Sequence, residues 1–328
     1  MITGGAGYIG SHCFLSLVKS GFKPIIVDNF SNSNLKRIKE LQTIIKKKII
    51  FYNIDIRNKA DLKSVFRQHN FYAVIHCAAF KSVQESSEIP ITYFDNNIIS
   101  TLSLLQCMQE KKIFKLIFSS SALVYNQDED LVLKETSNTG KTSSPYGTSK
   151  YIIEKILMNI VESDPRWNIY IARYFNPVGN HTSGLIADES KSIINNLLPN
   201  IIKVAQKKNP YLKVFGKNYP TRDGTCIRDY IHVMDLAEGH VAMLKGKKLK
   251  KGLEIYNFGS GKGFTVLEVV QAFQNQTGLS IPIKFVGRRK GDPSVLICCT
   301  KNTLKQLSWK VDRDLRQAMI DISVNLKL

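Results

Sequence analysis

Three glycines near the start of the chain limit what it can fold into. Gly4, Gly7 and Gly10 stand in the run Thr3-Gly4-Gly5-Ala6-Gly7-Tyr8-Ile9-Gly10, directly after a β-branched start and directly before a helical pattern. In a strand-to-helix turn the first glycine permits the tight bend. The second lets the backbone approach a pyrophosphate, and the third brings the helix close to the strand. The helix N-terminus then turns unpaired N–H groups toward the phosphates. Asp28 closes the next apolar strand, where a carboxylate can bind ribose hydroxyls. Such a carboxylate repels a 2′-phosphate, so NAD is expected rather than NADP. Asn29, Asn32 and Ser33 follow as candidates on the adenosine side. Because Gly4 comes so early, either the first strand is short or the sequence starts partway into it.

The rest of the chain supports a fold that uses this loop. Short β-branched runs at Pro24–Asp28, Ile49–Ile54, Tyr72–Cys77, Lys115–Ser119 and Asn168–Tyr174 alternate with helical patterns at Ile9–Ser20, Leu35–Lys46, Lys59–Gln68, Tyr93–Glu110 and Pro145–Glu162. Strand–helix alternation predicts βαβ units and a parallel sheet covered on both faces. The fold class expected is α/β, a doubly wound parallel sheet of Rossmann type with a smaller, mixed C-terminal substrate lobe. Residues 1–176 are read as the dinucleotide-binding domain and 177–328 as the substrate lobe. Some later segments, such as Leu253–Phe258, are expected to return to the sheet.

Composition narrows the function classes. The 328 residues carry 46 Lys+Arg against 27 Asp+Glu, a net charge of +19, which raises the question of a polyanionic partner. The positive residues are scattered, with short runs at Lys46–Lys48, Lys247–Lys251 and Arg288–Lys290, so a solvated basic surface is the simpler reading. No apolar run is long enough to span a membrane, and no leader is seen at the N-terminus. Six cysteines, none in a C-x-x-C pair, read as reduced thiols of a cytoplasmic protein, and the six histidines suggest no metal site.

A second motif carries the chemistry. In Ser144-Pro145-Tyr146-Gly147-Thr148-Ser149-Lys150, serine suits a helix cap and proline its first position. Tyr146 and Lys150 then share one helix face. Bringing a phenol from its ordinary value of ~10 to ~7 takes roughly 4 kcal/mol of differential stabilisation. Lys150 and a cationic nicotinamide ring are expected to supply it, making Tyr146 a base near neutral pH. A partner hydroxyl comes from Phe118-Ser119-Ser120-Ser121, at a strand's C-terminal end, where doubly wound sheets bind ligands.

Together these residues resemble the extended short-chain dehydrogenase/reductase family, and within it the 4-epimerases of UDP-hexoses. The resemblance extends through Asn53-Ile54-Asp55-Ile56-Arg57-Asn58, Ala79-Phe80-Lys81-Ser82-Val83, Tyr93-Phe94-Asp95-Asn96-Asn97, Arg173-Tyr174-Phe175-Asn176-Pro177-Val178-Gly179 and the run from Asp223 to Val233 around Arg228. It implies a catalytic trio of Ser121, Tyr146 and Lys150. It implies further that Tyr8, Ile9, Asp55, Ile56, Cys77, Ala78, Ala79, Lys81, Asn96 and Phe175 join the glycines, Asp28, Tyr146 and Lys150 around NAD. Asn176, Asn196, Leu197, Phe215, Arg228, Arg289, Asp292 and Leu296 are implied as sugar-nucleotide contacts, with Lys81, Ser121 and Tyr146 also touching the sugar. Arg228 and Arg289 suit a pyrophosphate on chemical grounds too. The activity implied is interconversion of UDP-galactose and UDP-glucose, a step of galactose metabolism. It proceeds by transient oxidation at the sugar 4-position with tightly held NAD. A homodimer is implied as well, in line with the frequency of two-fold oligomers; no metal, nucleic acid or membrane is expected.

Some residues depart from the family pattern. Asn126 stands where a glycine is usual. Leu296 occupies the position that gates the sugar's 2-substituent, and its intermediate size implies some acceptance of N-acetylhexosamines. The chain ends at Leu328, earlier than many relatives. Competing readings are a sugar-nucleotide dehydratase, a uronate epimerase, and a non-catalytic nucleic-acid binder on the same fold. The dehydratase chemistry wants an Asp-Glu pair after the trio's serine, but Ala122-Leu123 follows Ser121.

Overall fold

Strands that are apolar on both faces build the central sheet. The computed structural model describes residues 1–126, 130–189, 196–246, 252–289, 292–324 and 326. Five strands occupy the first part of the chain: β1 (Ile2–Thr3), β2 (Ile26–Asp28), β3 (Phe51–Asn53), β4 (Val74–His76) and β5 (Lys115–Ser121). They are followed by β6 (Val132–Leu133), β7 (Asn168–Tyr174), β8 (Asn176–Val178), β9 (Leu212–Phe215), β10 (Ile227–His232), β11 (Leu253–Phe258), β12 (Gly263–Thr265), β13 (Ile283–Val286) and β14 (Val295–Cys298). Seven of these form one sheet in the order β11-β7-β5-β4-β1-β2-β3, every neighbouring pair parallel.

Successive residues of these strands point to opposite faces, and both sets are apolar. Ile2, Ile26, Ile75, Ile117 and Tyr170 enter one core with the helices Tyr8–Lys19, Lys36–Ile45 and Val233–Lys245. Val27, Val74, Leu116, Phe118, Ile169 and Ile171 enter the other with Lys59–Gln68, Ser100–Glu110 and Pro145–Ser163. The expected doubly wound sheet is therefore present; β2, β3 and β4 are shorter than the apolar runs suggested, β5 runs on to Ser121, and β7 and β11 have the expected bounds. The first strand is short and central, between β2 and β4.

The helix expected over Tyr93–Glu110 is broken into three. Pro90–Phe94 and Ser100–Glu110 are α-helical, but Asp95–Ile99 between them is a π-helix. Asn97 explains the widened turn: its side chain accepts from the Phe80 N–H at 2.8 Å and donates to the Phe80 carbonyl and to Ser149 Oγ.

The two halves of the sequence are interleaved. A second, mixed sheet runs β12-β10-β14-β6, with β8 also paired to β10. β11 returns to the first sheet, and β6, from the earlier half, pairs with β14 in the second. β9 and β13 make a small parallel pair. The basic run Lys247–Lys251 and Lys290 lie outside the described residues.

Candidate functional site

A cleft opens at the C-terminal ends of β1, β2 and β4. Counting the part open to solvent, it spans about 870 Å³ of empty space. Gly4, Gly7, Tyr8, Ile9, Gly10, Asp28, Asn29, Asn32, Ser33, Asp55, Ile56, Cys77, Ala78, Ala79, Lys81 and Asn96 all line it. Phe80, Ser31, Ile54 and Ser100 line it too and went unmarked in the sequence reading. The first three sit next to marked residues; Ser100 gives no sequence signal, because the π-helix before it sets its position.

The loop geometry is what a pyrophosphate needs. Gly4 has φ +66°, and a Cβ there would stand 2.7 Å from the Ala78 backbone nitrogen. A Cβ on Gly10 would fall 2.2 Å from the Gly4 carbonyl oxygen. Gly7 caps the helix Tyr8–Lys19 without a side-chain hydrogen bond, and no acidic residue lies in the first turn. The helix N-terminus thus keeps donors and positive potential for an anion. The Asp28 carboxylate accepts from the Ala6 and Phe30 N–H groups and from Ser33 Oγ, each at 2.9 Å, which fixes its position at the cleft edge.

Three contacts bind the segment 179–189 across this cleft. Tyr8 Oη donates to the Gly179 carbonyl at 2.5 Å, Arg37 Nη2 to the Ala187 carbonyl at 2.6 Å, and Lys81 Nζ pairs with Asp188 at 3.3 Å. None of these partners was legible from spacing along the chain.

The Ser-Tyr-Lys group assembles where β5 ends. Ser144 caps the helix Pro145–Ser163 by accepting from the Gly147 N–H, and proline follows at the first helical position, as the motif required. The Tyr146 phenol stands near the Ser121 hydroxyl. Lys150, buried one turn on, donates to the Ser119 carbonyl at 2.7 Å and lies 4.8 Å from the Phe118 ring centre. Ser119 itself lines the cleft. Tyr146, Lys150 and Phe175 do not line it; they stand beside it, Phe175 in a cluster with Ala122 and Leu296.

Burial dominates the electrostatics that the chain's own groups set up here. Burial raises the Tyr146 phenol, and the nearby Ser121 hydroxyl opposes that rise. Burial also lowers the Lys150 ammonium to about 8, against the raising influence of Cys77 and Glu154. The groups of the chain by themselves therefore do not bring Tyr146 toward neutrality, because desolvation outweighs the influence of the Ser121 hydroxyl, which favours phenolate.

A wall of apolar residues leads from this trio to a basic cluster. Ala122, Val124, Tyr125, Phe175 and Leu296 pack together, and Leu296 on β14 is paired with Arg228 on β10. Arg228 makes an ion pair with Asp292 and donates to the Pro293 carbonyl at 2.8 Å. The Arg289 guanidinium lies 3.9 Å from the Phe215 ring centre, and burial lowers its pKa from the ordinary arginine value. Asn176 begins β8 opposite Tyr230, while Asn196 caps the helix Leu197–Ala205. Asn126 is buried, and its side chain accepts from the Lys141 N–H at 2.8 Å, pinning the approach to Ser144.

Residues 1–259 match the NAD dependent epimerase/dehydratase family. The chain belongs to that family. The UDP-glucose 4-epimerase of Neisseria meningitidis serogroup C is 46% identical over 321 residues, covering 98% of this chain and 95% of that protein. The UDP-glucose 4-epimerase of Dictyostelium discoideum is 45% identical over 311 residues, 94% of this chain and 90% of that one. The crystal structure of the Bifidobacterium longum UDP-glucose 4-epimerase in complex with NAD+ and UDP superposes with a TM-score of 0.95 at 41% identity, covering 99% of this chain and 96% of that one. The side-chain-free cradle at Gly4 and Gly10 and the uncapped helix start fit NAD, the dinucleotide on which this family depends.

The six cysteines are free thiols, as expected. The expectation of no metal cluster rested on spacing along the chain. Folding brings Cys13, Cys77 and His240 together from three distant segments, an arrangement that spacing cannot reveal. Among the described residues, no helix is long and apolar enough to cross a membrane.

Proposed function

We propose that the protein interconverts UDP-galactose and UDP-glucose with NAD held in the glycine-loop cleft. The observation that carries this reading is the grouping of Tyr146, Ser121 and buried Lys150, the last fixed to the Ser119 carbonyl, at the end of β5 beside that cleft. When bound, NAD supplies reversible oxidation at the sugar 4-position and a cationic ring near the phenol. Tyr146 takes the proton from the sugar's 4-hydroxyl and later returns one. Ser121 holds that hydroxyl in line, and Lys150 keeps positive charge beside the phenolate. Arg228 and Arg289 anchor the diphosphate while the hexose turns over.

Leu296 packs beside Phe175 and Ala122; its intermediate size at the position that gates the sugar's 2-substituent makes UDP-N-acetylgalactosamine the second substrate to test. A dehydratase is disfavoured because Ala122 and Leu123 offer no acid or base next to Ser121. A non-catalytic nucleic-acid binder is disfavoured because the trio is assembled.

The test uses purified protein with UDP-galactose, and separately UDP-N-acetylgalactosamine, without added NAD, the products being resolved by anion-exchange chromatography. UDP-glucose should form in the first. No conversion there, even with NAD supplied, would sink the reading. Tyr146→Phe should lose roughly 10²–10⁴-fold in turnover while NAD stays bound.

The protein is further read as a homodimer. Val83, Ile89, Ile91 and Ile99 are exposed together on and around the short helices Val83–Glu88 and Pro90–Phe94, Ile91 by 82%. A second copy meeting the same face would cover them symmetrically. Sedimentation equilibrium should give twice the 37.1 kDa chain mass; the single chain mass would refute it. The free cysteines support a reducing compartment, the cytoplasm.

A further inference from the structure

Two thiols and an imidazole meet behind the dinucleotide cleft. Cys13 comes from the helix Tyr8–Lys19, Cys77 from the end of β4, and His240 from the helix Val233–Lys245. Their two sulfur atoms and one ring nitrogen lie within 4.8 Å of one another. Cys13 and His240 are fully buried, while Cys77 forms part of the cleft wall.

The histidine is oriented as a ligand. Its Nδ1 lies 2.9 Å from the Leu236 carbonyl oxygen, an acceptor only, so the proton sits on Nδ1. The Nε2 lone pair is left facing inward, where the Tyr174 phenol lies 2.6 Å away. A carbonyl behind the distal ring nitrogen is the support that metal-bound imidazoles commonly have. Ser119 Oγ lies 3.2 Å from Cys77 Sγ and 2.8 Å from Tyr174 Oη, so two hydroxyl oxygens border the cluster.

We propose that Cys13, Cys77 and His240 form a site for one thiophilic divalent cation of the zinc type. Two thiolates and a neutral imidazole carry a charge of −2, which balances such an ion. Two sulfurs and one nitrogen select it over magnesium or calcium. On binding, each thiol gives its proton to solvent and forms a sulfur–metal bond, and His240 Nε2 exchanges its phenol partner for the ion. No redox change is involved. The other four cysteines belong to no comparable group among the described residues, so they serve as internal controls.

The test is a titration of the NAD-containing protein with cadmium, followed by the thiolate-to-metal charge-transfer absorption, with magnesium in excess throughout. One equivalent should bind, and zinc should displace it. Cys13→Ser should abolish the saturable band, whereas Cys107→Ser and Cys299→Ser should keep it. His240→Gln should weaken binding by about tenfold or more, since even outer partners of a metal ligand have effects of that size. Circular dichroism and retained NAD report whether each variant folds. If Cys13→Ser does not fold, His240→Gln decides, and wild-type affinity in that variant overturns the site. Absence of stoichiometric cadmium binding to the wild type overturns it as well.

Discussion

At the scale of single residues, backbone clearance governs the dinucleotide loop. Gly10→Ala would place a methyl carbon 2.2 Å from the Gly4 carbonyl oxygen, a separation that neither backbone can accept without moving. The expected outcome is a folded protein that purifies without nucleotide absorbance and recovers little turnover when NAD is added. Retention of NAD by that variant would show that the loop yields more easily than its geometry implies. Residues of this kind were legible in the sequence because their meaning is local. Glycine spacing, the strand-closing Asp28, and Tyr146 one turn before Lys150 each state their geometry within a few positions. The ionisation of Tyr146 was not legible. It depends on burial, and burial is decided by segments far away in the chain.

At the scale of elements, the helix Pro145–Ser163 is fastened to the sheet by a buried ion pair. Glu154, one turn beyond Lys150, meets the Arg173 guanidinium through both its oxygens, at 3.0 and 2.6 Å, and also accepts from Ser120 Oγ. Both charged side chains are 2% exposed or less. Removing one partner of such a pair leaves an uncompensated charge. Glu154→Gln should therefore cost roughly 3–5 kcal/mol in chemical denaturation. A loss well under that would mean Arg173 finds other acceptors, its contact with the Glu135 carbonyl being the nearest substitute. Element boundaries were only partly legible. Tyr93–Glu110 reads as one amphipathic helix, and nothing in its periodicity marks the π-helix at Asp95–Ile99. That turn is set by Asn97 bonding to Phe80 and Ser149, contacts that exist only once the sheet has formed.

At the scale of the whole molecule, a buried histidine joins distant parts and makes stability depend on pH. His232, at the end of β10, lies 3.1 Å from Asp321 on the C-terminal helix Leu315–Ser323. Burial lowers its pKa from 6.5 to about 4, although Asp321 opposes the shift. The unfolded chain therefore binds the proton more readily than the folded one. The contribution to stability is complete above pH 6.5 and is lost as pH falls toward 4. Denaturation midpoints should fall between pH 7 and pH 5 by more in the wild type than in His232→Gln. Equal slopes would remove His232 from the account.

The overall parallel sheet was legible from alternating apolar runs, but its closing strand was legible only as a segment that returns. Its position next to β7 has a consequence for synthesis. β7 carries Ile169, Tyr170, Ile171 and Ala172, and its outer partner, β11, is translated much later. At about 5–20 residues per second, that edge waits on the order of ten seconds for its partner on the ribosome. During that interval a flat, apolar row of unpaired backbone groups is open to other chains. A chain cut short before Leu253 would therefore aggregate through β7 rather than persist as a smaller dinucleotide-binding domain.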